Sequence, residues 1–424
     1  MGEVIGTRKL ATRSAELGAA VNAALNDPEF WLHRSVYGGW LRNPFDSEPL
    51  PAAQAVAEYR RTVADFLTKP LFDFAGARVG PLVLERLFDR TEWLNGVSIY
   101  GLMVVRTDLK LLPCAAPLFH APHPRDLDRN QQSGLEIGDS CQIFAWDAGR
   151  TWYGVITRRG AGWVPARAVA LSGAAEVDHH ATQLPALITL DPQHQLRLPG
   201  GIAREVGMGC SFPAEDPFRR IVLIPARTRN GGLKWRQAEL SGSTCVAHLA
   251  PTVPNLIRQA FKYLGRRYVW GDRNPGGRSG IDCSRLVQNV FRTIGWLLPR
   301  NSQQQWAASR AGLSLGAADA ASRRALLAGL APGSLLFTNH HVLIYLGQAE
   351  NDFYAIHACY NYPERTGERE RPRAVKRVIV SDLELGRGSL AGALWQRLTG
   401  VVPLLGKEEW HEAIAGDGGC DYQG

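Results

Sequence analysis

The feature that most constrains the fold is a series of short apolar runs separated by turn residues, which begins near residue 98 and continues to about residue 245. The runs are 102–105, 141–146, 152–156 and 162–169, followed by 187–190, 220–224 and 235–238. Runs of this length and spacing are typical of small antiparallel barrels. The 44 glycines and 25 prolines of the chain suit the many tight turns that such barrels need. We therefore predict two β-barrels, at 96–175 and 176–250, which have similar texture but no clean residue-level repeat.

The N-terminal segment has a different composition. Ala, Leu, Glu and Arg dominate residues 8–26 and 52–68, and a proline-rich segment around residues 43–51 separates these two stretches. This pattern predicts a helical region over residues 1–95. At 424 residues the whole chain is too long for one hydrophobic core, so several domains are expected.

The segment 251–424 shows helices first and strands afterwards. After a Pro-containing linker at 251–254, apolar periodicity predicts helices at 255–264 and 284–294. Strands are predicted at 341–346 and 353–358, and the densely charged segment 362–377 is predicted to be a solvated loop. This order of elements predicts an α+β domain.

Composition narrows the classes of partner. The formal charge is +8, which suits a polyanionic partner such as an acidic wall polymer. There is no block of basic residues interleaved with aromatics, so nucleic acid is not expected.

No run approaches the ~20 apolar residues of a membrane span, and residues 1–30 contain no signal-peptide core. The seven cysteines form no CxxC pair and there is no HExxH spacing, so neither a metal nor another cofactor is expected.

Cys283 is the best candidate for a nucleophile. It follows turn-forming residues and begins a predicted helix, where free backbone N–H groups and the helix dipole favour thiolate over thiol. A cysteine nucleophile needs a base, and the base needs a group that orients it. His341 begins one predicted strand and His357 lies on the next, so antiparallel pairing would place the two side chains on one face.

Simpler readings of the same residues remain open. A lone cysteine is most often a buried core residue, and His357 would then be a hydrogen-bonded core histidine. His340 adjoins His341, so either histidine is a candidate for the base. We favour His341, which directly precedes the Val-x-Ile-Tyr run of the strand.

Five ordered motifs make the C-terminal part specific. They are Tyr-x-Trp-Gly at 268–271, Gly-x-Asp-Cys-Ser at 280–284, Leu-Pro-Arg-x-Ser-x-x-Gln at 298–305, His-Val-x-Ile-Tyr-Leu-Gly at 341–347 and Ile-His-Ala at 356–358. Together they resemble the NlpC-type cysteine peptidases over roughly 251–400. Residues 104–171 are similar to the bacterial SH3-like domain often found ahead of such peptidases. The helical start is similar to their N-terminal stabilising region.

The resemblance implies a papain-like α+β fold and cleavage of the γ-D-glutamyl–diamino acid bond in peptidoglycan stem peptides of the L-Ala-γ-D-Glu-diaminopimelate type. It implies that Cys283 attacks the amide carbonyl, that His341 transfers the proton and that His357 fills the third polar position. The residues implied to bind substrate are Tyr268, Asp282, Ser284 and Ser302. An aspartate carboxylate in this position would suit a free α-amine. We therefore hypothesise that Asp282 favours stem peptides whose L-Ala N-terminus is unblocked.

Several positions depart from the family pattern. Asp272 stands where a second glycine is usual, Arg285 where a glycine often follows Cys-Ser, and Leu343 replaces the common glycine of His-Val-Gly. Residues 273–279 lengthen the loop before the nucleophile. These departures leave every proposed catalytic group in place and concern the shape of the groove.

The sequence therefore predicts a multidomain chain: a helical start, two SH3-like barrels and a papain-like domain at 251–424. The predicted reaction is metal-free acyl transfer to water through a thioester. The alternatives are a wall-binding protein with an inactive peptidase domain, and an amidase or acyltransferase of the same fold. A wall substrate implies the cell envelope or periplasm, and a cytoplasmic role in peptide recycling is the alternative.

Overall fold

The computed structural model describes residues 4–5, 23–34, 40–46, 48, 50–89, 91–94, 99–123, 127–182, 185–272 and 279–404. The chain divides into two compact units. The C-terminal unit consists of Met1–Ser47, Leu249–Tyr268 and Asp282–Gly424. The middle unit consists of Glu48–His248 and Val269–Ile281.

Both units combine helices with antiparallel sheets. Among the described residues the α-helices are α1 Pro28–His33, α2 Ala52–Leu67, α3 Pro81–Glu85, α4 Ala174–Thr182, α5 Val253–Phe261, α6 Cys283–Arg292, α7 Ser302–Ala307 and α8 Ala320–Gly329. The strands are β1 Val4–Ile5, β2 Glu92–Trp93, β3 Ile99–Met103, β4 Thr107–Lys110, β5 Gln131–Leu135, β6 Ser140–Trp146, β7 Trp152–Thr157, β8 Gly160–Pro165, β9 Val169–Ser172, β10 Ala186–Thr189, β11 His194–Arg197, β12 Ala203–Val206, β13 Ser211–Asp216, β14 Ile221–Arg227, β15 Leu233–Leu240, β16 Thr244–Val246, β17 Leu313–Ser314, β18 Leu335–Thr338, β19 His341–Ala349, β20 Asp352–Thr366, β21 Arg369–Asp382 and β22 Gly400–Val402. None of the helices in these ranges is long and apolar enough to span a membrane.

The middle unit contains two antiparallel sheets. The first has the strand order β5-β4-β8-β7-β6-β3-β9, with β2 also paired to β6. Helix α2 covers it through Tyr59, whose hydroxyl donates to the Leu111 carbonyl at 3.0 Å and accepts from the Trp163 indole at 2.6 Å. Because both buried polar groups find partners, these aromatic side chains can be fully enclosed. Gly162 lies so close to the Lys110 carbonyl that a side chain there would prevent the pairing of β4 with β8.

The second sheet of the middle unit has the order β12-β11-β15-β14-β13-β10-β16. Arg106 connects the second sheet to the first, with one guanidinium nitrogen 2.7 Å from Glu205 and another 3.4 Å from buried Glu136.

The two units and their antiparallel sheets confirm the predicted multidomain α+β architecture. The SH3-like and papain-like identities and the boundaries near 95, 175 and 250 stay predictions.

The C-terminal unit is built on the sheet β1-β21-β20-β19-β18-β22-β17. Helix α6 packs on β19 and β20, and α5 packs on α6. The helix predicted at 255–264 in fact begins at Val253 and is capped by Thr252, whose hydroxyl accepts the Asn255 amide. The predicted start of the helix was wrong because Pro254 was assigned to the linker. Proline is well tolerated in the first turn of a helix, and Pro254 lies there.

The segment 362–377 is not a loop, as its charge density predicted. It continues β20 and β21 into a hairpin arm whose residues 365–374 are exposed. The register places Glu364 opposite Arg371 and Arg365 opposite Glu370. Opposite charges directly across a strand pair stabilise the pairing, so a charged segment can be both solvated and regular.

In the N-terminal region, the helix predicted at 52–68 is observed as α2. The other predicted stretch, 8–26, lies mostly outside the described residues. Strand β1 pairs with β21, where Val4 lies opposite Ser381.

Candidate active site

Cys283 is the first residue of α6. The sequence predicted that a helix begins at this residue. Asp282 caps the helix, and its side chain accepts the Arg285 amide at 2.9 Å. The apolar residues of α6 hold it against β19 and β20, so the thiol lies at the N-terminal end of a buried helix. The Cys283 residue is only 5% exposed.

This burial reverses the expected protonation state of the thiol. Burial raises the pKa of Cys283 to about 12, and the charge of Asp282 acts in the same direction. Hydrogen bonds from the Val342 and Ser284 amides lower the pKa, as expected at a helix start, but they are the smaller effects. The substrate-free site therefore holds a neutral thiol, and a nucleophile forms only when a base takes its proton.

His341 and His357 lie on adjacent antiparallel strands. The register of β19 and β20, in which Ile344 faces Ile356, makes the two histidines diagonal neighbours. Nε2 of His341 is 2.7 Å from Nδ1 of His357, and the ring centroids are 4.9 Å apart. The sequence predicted that His341 and His357 share one face of the sheet, and the structure brings their side chains into direct contact.

The structure separates the two adjacent candidates for the base. His340 lies in the turn between β18 and β19 and is exposed. His341 pairs with Thr338 in the ladder and contacts His357. Since α6 packs on β19 and the Cys283 thiol contacts the Val342 amide, the strand that begins with His341 also borders the nucleophile.

The two imidazoles are held neutral. Burial lowers the pKa of His341 to about 4, and the charge of Arg397 lowers it further while Asp282 opposes. Burial also lowers the pKa of His357 well below its usual value, with smaller effects from His341 and Arg397. A neutral His341 is the form that can accept a proton.

Ser381 completes the chain of hydrogen bonds, and sequence reasoning missed it. Its Oγ lies 3.0 Å from Nε2 of His357, and the residue is fully buried on β21. If His357 donates from Nε2 to Ser381, its Nδ1 accepts from Nε2 of His341. Nδ1 of His341 then has a free lone pair for the thiol proton. The available signal was a lone serine in the otherwise apolar run 378–381.

We predict that Ser381→Ala lowers kcat/KM about tenfold and shifts the pH profile, because His357 loses its buried partner and no longer holds one tautomer. Ser381→Thr keeps the hydroxyl and is expected to retain most of the activity. The measurement is kcat/KM against pH for the three proteins. A pH profile unchanged in Ser381→Ala would contradict the positioning role.

The predicted substrate residues Asp282 and Ser284 belong to a buried polar cluster with Arg300. The Asp282 carboxylate has no exposed surface and accepts from both terminal nitrogens of Arg300, one at 3.1 Å. The same guanidinium nitrogen of Arg300 donates to Ser284 Oγ at 2.9 Å. The charge of Asp282 is therefore matched within the protein, which gives this residue a structural function. Binding of a substrate amine by Asp282 stays a prediction.

Tyr268 and Ser302 lie on different elements of the C-terminal unit. The Tyr268 amide donates to the Lys376 carbonyl at 2.8 Å, and its ring lies 5.3 Å from that of Tyr360. Burial raises the Tyr268 pKa well above its usual value, with a smaller contribution from the negative charge of Asp282. Ser302 is buried at the start of α7, a helix that packs on α6.

Comparison with known proteins places this geometry in a family context. Residues 265–361, which include Cys283, His341 and His357, match the model of the NlpC/P60 family. The bifunctional muramidase/DL-endopeptidase CwlT of Bacillus subtilis (strain 168) is 44% identical over 55 residues, covering 13% of this chain and 16% of CwlT. The peptidoglycan endopeptidase RipB of Mycobacterium tuberculosis (strain ATCC 25618 / H37Rv) is 32% identical over 114 residues, covering 24% of this chain and 44% of RipB. The matches thus span less than half the length of either relative.

The fold is similar over a longer range. A solved structure described as a novel NlpC/P60 endopeptidase from Photobacterium damselae subsp. piscicida superimposes with a TM-score of 0.73. It covers 90% of this chain and 93% of that one at 16% sequence identity, so this similarity concerns the fold alone. The resemblance first seen in the ordered motifs is confirmed, and the C-terminal part of this chain contains an NlpC/P60 family domain.

Proposed function

We propose that this protein is a cysteine peptidase that hydrolyses the γ-D-glutamyl–diamino acid bond of peptidoglycan stem peptides. Cys283 is the nucleophile, His341 the base and His357 the residue that orients the base. The observation that carries the proposal is the 2.7 Å contact of His341 with His357, on the strands that pack against the helix beginning at Cys283. Relatives named DL-endopeptidase and peptidoglycan endopeptidase support the substrate class.

In the acylation step, the Cys283 sulfur attacks the carbonyl carbon of the scissile amide. As the S–C bond forms, the thiol proton moves to Nδ1 of His341, and the carbonyl oxygen takes up negative charge. The backbone amides at the start of α6 are suited to stabilise that oxyanion. His341 then gives the proton to the leaving nitrogen, the C–N bond breaks, and a thioester remains on Cys283.

Deacylation repeats the sequence with water. His341 takes a proton from water as the oxygen attacks the thioester carbonyl. Collapse of the tetrahedral intermediate breaks the C–S bond, and the proton on His341 returns to the Cys283 sulfur. The products are a free γ-carboxyl group and the restored neutral thiol. No step needs a metal or a redox partner.

We extend the proposal to the rest of the chain. The two sheets of the middle unit are SH3-like barrels that bind wall polymer or limit the length of the substrate, and the C-terminal unit is papain-like. The site of action is the cell envelope, which is supported by the relative RipB being named a peptidoglycan endopeptidase. Sedimentation of the protein with intact peptidoglycan tests whether the protein binds wall polymer.

The decisive test is mass spectrometry of L-Ala-γ-D-Glu-diaminopimelate incubated with the wild type and with Cys283→Ala. Release of diaminopimelate by the wild type alone is expected. If neither protein cleaves the peptide while peptidoglycan still binds, the chain is a wall-binding protein with an inactive domain. Adding an amine acceptor separates hydrolysis from acyl transfer, because a transferase would form a new amide instead of the free acid.

The pH dependence of activity follows from the neutral His341. Because its pKa is lowered to about 4 by burial, the residue stays unprotonated well below pH 6.5. We predict that the acidic limb of kcat/KM has its midpoint nearer pH 4 than pH 6.5. A steady-state pH profile measures it, and a midpoint at or above 6.5 would contradict the assignment of His341 as a base that is held neutral.

The same burial couples stability to pH. In the unfolded chain a histidine has a pKa near 6.5, about its unperturbed value, whereas the folded state holds His341 and His357 neutral to lower pH. The unfolded state therefore binds more protons below pH 6.5, so the free energy of unfolding is highest above that value and falls as the pH decreases towards 4. Urea unfolding at several pH values measures this, and it allows activity loss to be separated from unfolding.

A further inference from the structure

The hairpin arm at the ends of β20 and β21 has two faces of different charge. In an antiparallel pair, residues directly opposite each other point to the same side, and neighbours along a strand point to opposite sides. The register of the hairpin therefore places every second residue of each strand on one face. On one side these residues are Tyr362, Glu364, Thr366, Arg369, Arg371 and Arg373, and we call this side the basic face.

The basic face carries an excess of positive charge that is open to solvent. Its three arginines are exposed. Glu364 forms an ion pair with Arg373 at 2.7 Å. Within the described part of the chain, Arg369 and Arg371 form no ion pair. Two guanidinium groups on this face are therefore available to an external anion.

The opposite face of the arm is electrically balanced and is turned towards the protein. Arg365 lies directly across from Glu370, whose carboxylate accepts the Leu390 amide. Pro363, on the same face, lies beside Gly386, where an added Cβ would be 3.4 Å from the proline ring. The segment that follows β21 thus contacts this face, and the basic face is the one directed outwards.

At its base the basic face meets a residue that the sequence implied to bind substrate. Tyr360 lies two residues before Tyr362 on β20 and so points to the same side. Its ring lies 5.3 Å from the ring of Tyr268, and the Lys376 ammonium is 5.4 Å from the Tyr360 ring centroid. Four basic side chains therefore follow this side of the arm from the tyrosine pair to the tip. With Glu364 on the face and Glu368 in the turn, their net charge is +2.

The arm is longer than one stem peptide. From Tyr360 to Thr366 the strand advances six residues, which is about 20 Å at ~3.3 Å per residue. A tripeptide spans only about 11 Å when fully extended. The arginines nearest the tip therefore lie beyond a single tripeptide bound at Tyr268.

We propose that the basic face is a second substrate-binding surface, at which Arg369, Arg371 and Arg373 bind free carboxylates of the stem peptides that neighbour the one being cleaved. This inference rests on the proposed function, and it adds a preference for polymeric peptidoglycan over a single released peptide. The glutamyl and diamino acid residues of each stem peptide carry carboxylates, so the polymer presents a series of anions. Guanidinium groups suit them because they bind carboxylates through two parallel hydrogen bonds.

The composition of the arm favours a carboxylate polymer over a lipid surface. Protein surfaces that enter a membrane interface combine basic residues with large apolar side chains such as Trp, Phe or Leu. The exposed segment 365–374 contains only Arg, Glu, Thr, Gly, Pro and Ala. A partner recognised by charge and hydrogen bonds fits this composition.

The first test compares cleavage of intact peptidoglycan with cleavage of L-Ala-γ-D-Glu-diaminopimelate. Arg369→Gln/Arg371→Gln removes the two arginines that form no ion pair. At low ionic strength we expect this variant to lower the ratio of polymer to tripeptide cleavage rates about tenfold, the scale of two exposed charge contacts. At about 0.5 M salt we expect the wild type and the variant to differ less than about twofold, because salt screens exposed charges. An unchanged ratio at low salt, or a tenfold difference that persists at high salt, would overturn the proposal.

The matched control is Arg365→Gln/Arg387→Gln. It removes the same number of positive charges, also from exposed arginines, but one lies on the opposite face of the arm and the other in the segment after β21. We expect the ratio of polymer to tripeptide cleavage to stay within about twofold of the wild-type ratio. A loss equal to that of Arg369→Gln/Arg371→Gln would mean that net charge alone attracts the polymer, and the basic face would then have no specific function.

A binding measurement on inactive protein separates this proposal from the proposed function. Cys283→Ala and Cys283→Ala/Arg369→Gln/Arg371→Gln are sedimented with native peptidoglycan, with peptidoglycan whose carboxyl groups are amidated, and with vesicles that contain an anionic phospholipid. We expect the first variant to bind native peptidoglycan about tenfold more tightly than the second, and this difference to disappear after amidation.

The outcomes of the binding measurement are distinct. Equal affinity of the two variants for native peptidoglycan, a difference that survives amidation, or vesicle binding that depends on the two arginines would each overturn the proposal. If the wild type cleaves neither substrate but the expected difference in binding is found, the peptidase proposal fails and the basic face is a wall-binding surface.

Discussion

Replacing His341 by Ala is expected to lower kcat/KM for stem-peptide hydrolysis by about 10⁴-fold or more, the scale seen when the base of a catalytic triad is removed. The loss should be this large because burial raises the pKa of Cys283 to about 12, so almost no thiolate exists without a base. The measurement is release of the diamino acid at neutral pH, with a thermal melt to verify that the variant is folded.

The adjacent histidine provides a matched control for that experiment. His340→Ala removes an exposed side chain from the turn before β19 and is expected to change kcat/KM less than about threefold. If His340→Ala reproduced the loss and His341→Ala did not, the base would be misassigned. If neither variant lost activity, the thiol would be activated by a group other than these histidines.

Replacing Asp282 by Ala is expected to reduce the free energy of unfolding by about 3–5 kcal/mol, the cost typical of leaving a buried charge without its partner. Arg300 would keep its charge with its buried carboxylate partner gone. The α6 cap would also be lost, which contributes about 1 kcal/mol. Urea unfolding of the wild type and the variant at pH 7.5 measures the difference.

The double variant Asp282→Ala/Arg300→Met tests the cause of that loss. It removes the uncompensated charge together with its partner, so we expect it to recover a large part of the stability. If Asp282 chiefly binds a substrate amine instead, the single variant would stay stable. It would then lose the ability to distinguish peptides with a free N-terminal amine from acetylated ones.

Local patterns in the sequence were sufficient for several features of the site. The apolar periodicity after Cys283 predicts a helix that starts near this residue, and α6 starts there. The two apolar runs that contain His341 and His357 predict adjacent strands, and the two imidazoles meet at 2.7 Å. These features are predictable because helix and strand periods are properties of neighbouring residues along the chain.

Other local patterns were misleading where pairing across strands decided the outcome. The charge density of 362–377 indicates a solvated loop, but Glu364 and Arg365 lie opposite Arg371 and Glu370 in a regular hairpin. The helix dipole at Cys283 favours a thiolate, but burial outweighs it and leaves a thiol. In both cases the deciding interaction comes from residues that are distant in sequence or from enclosure by the fold.

The sequence by itself thus determined the α+β class, the nucleophile candidate and the pair of histidines, because each follows from residue type and short-range periodicity. Only the tertiary structure decided that Asp282 is paired with Arg300 and that Ser381 ends the hydrogen-bonded chain of the two histidines. The physical reason is that a side chain's pKa and hydrogen-bond partners depend on burial and on through-space distance. Neither quantity is encoded in the spacing of residues along the chain.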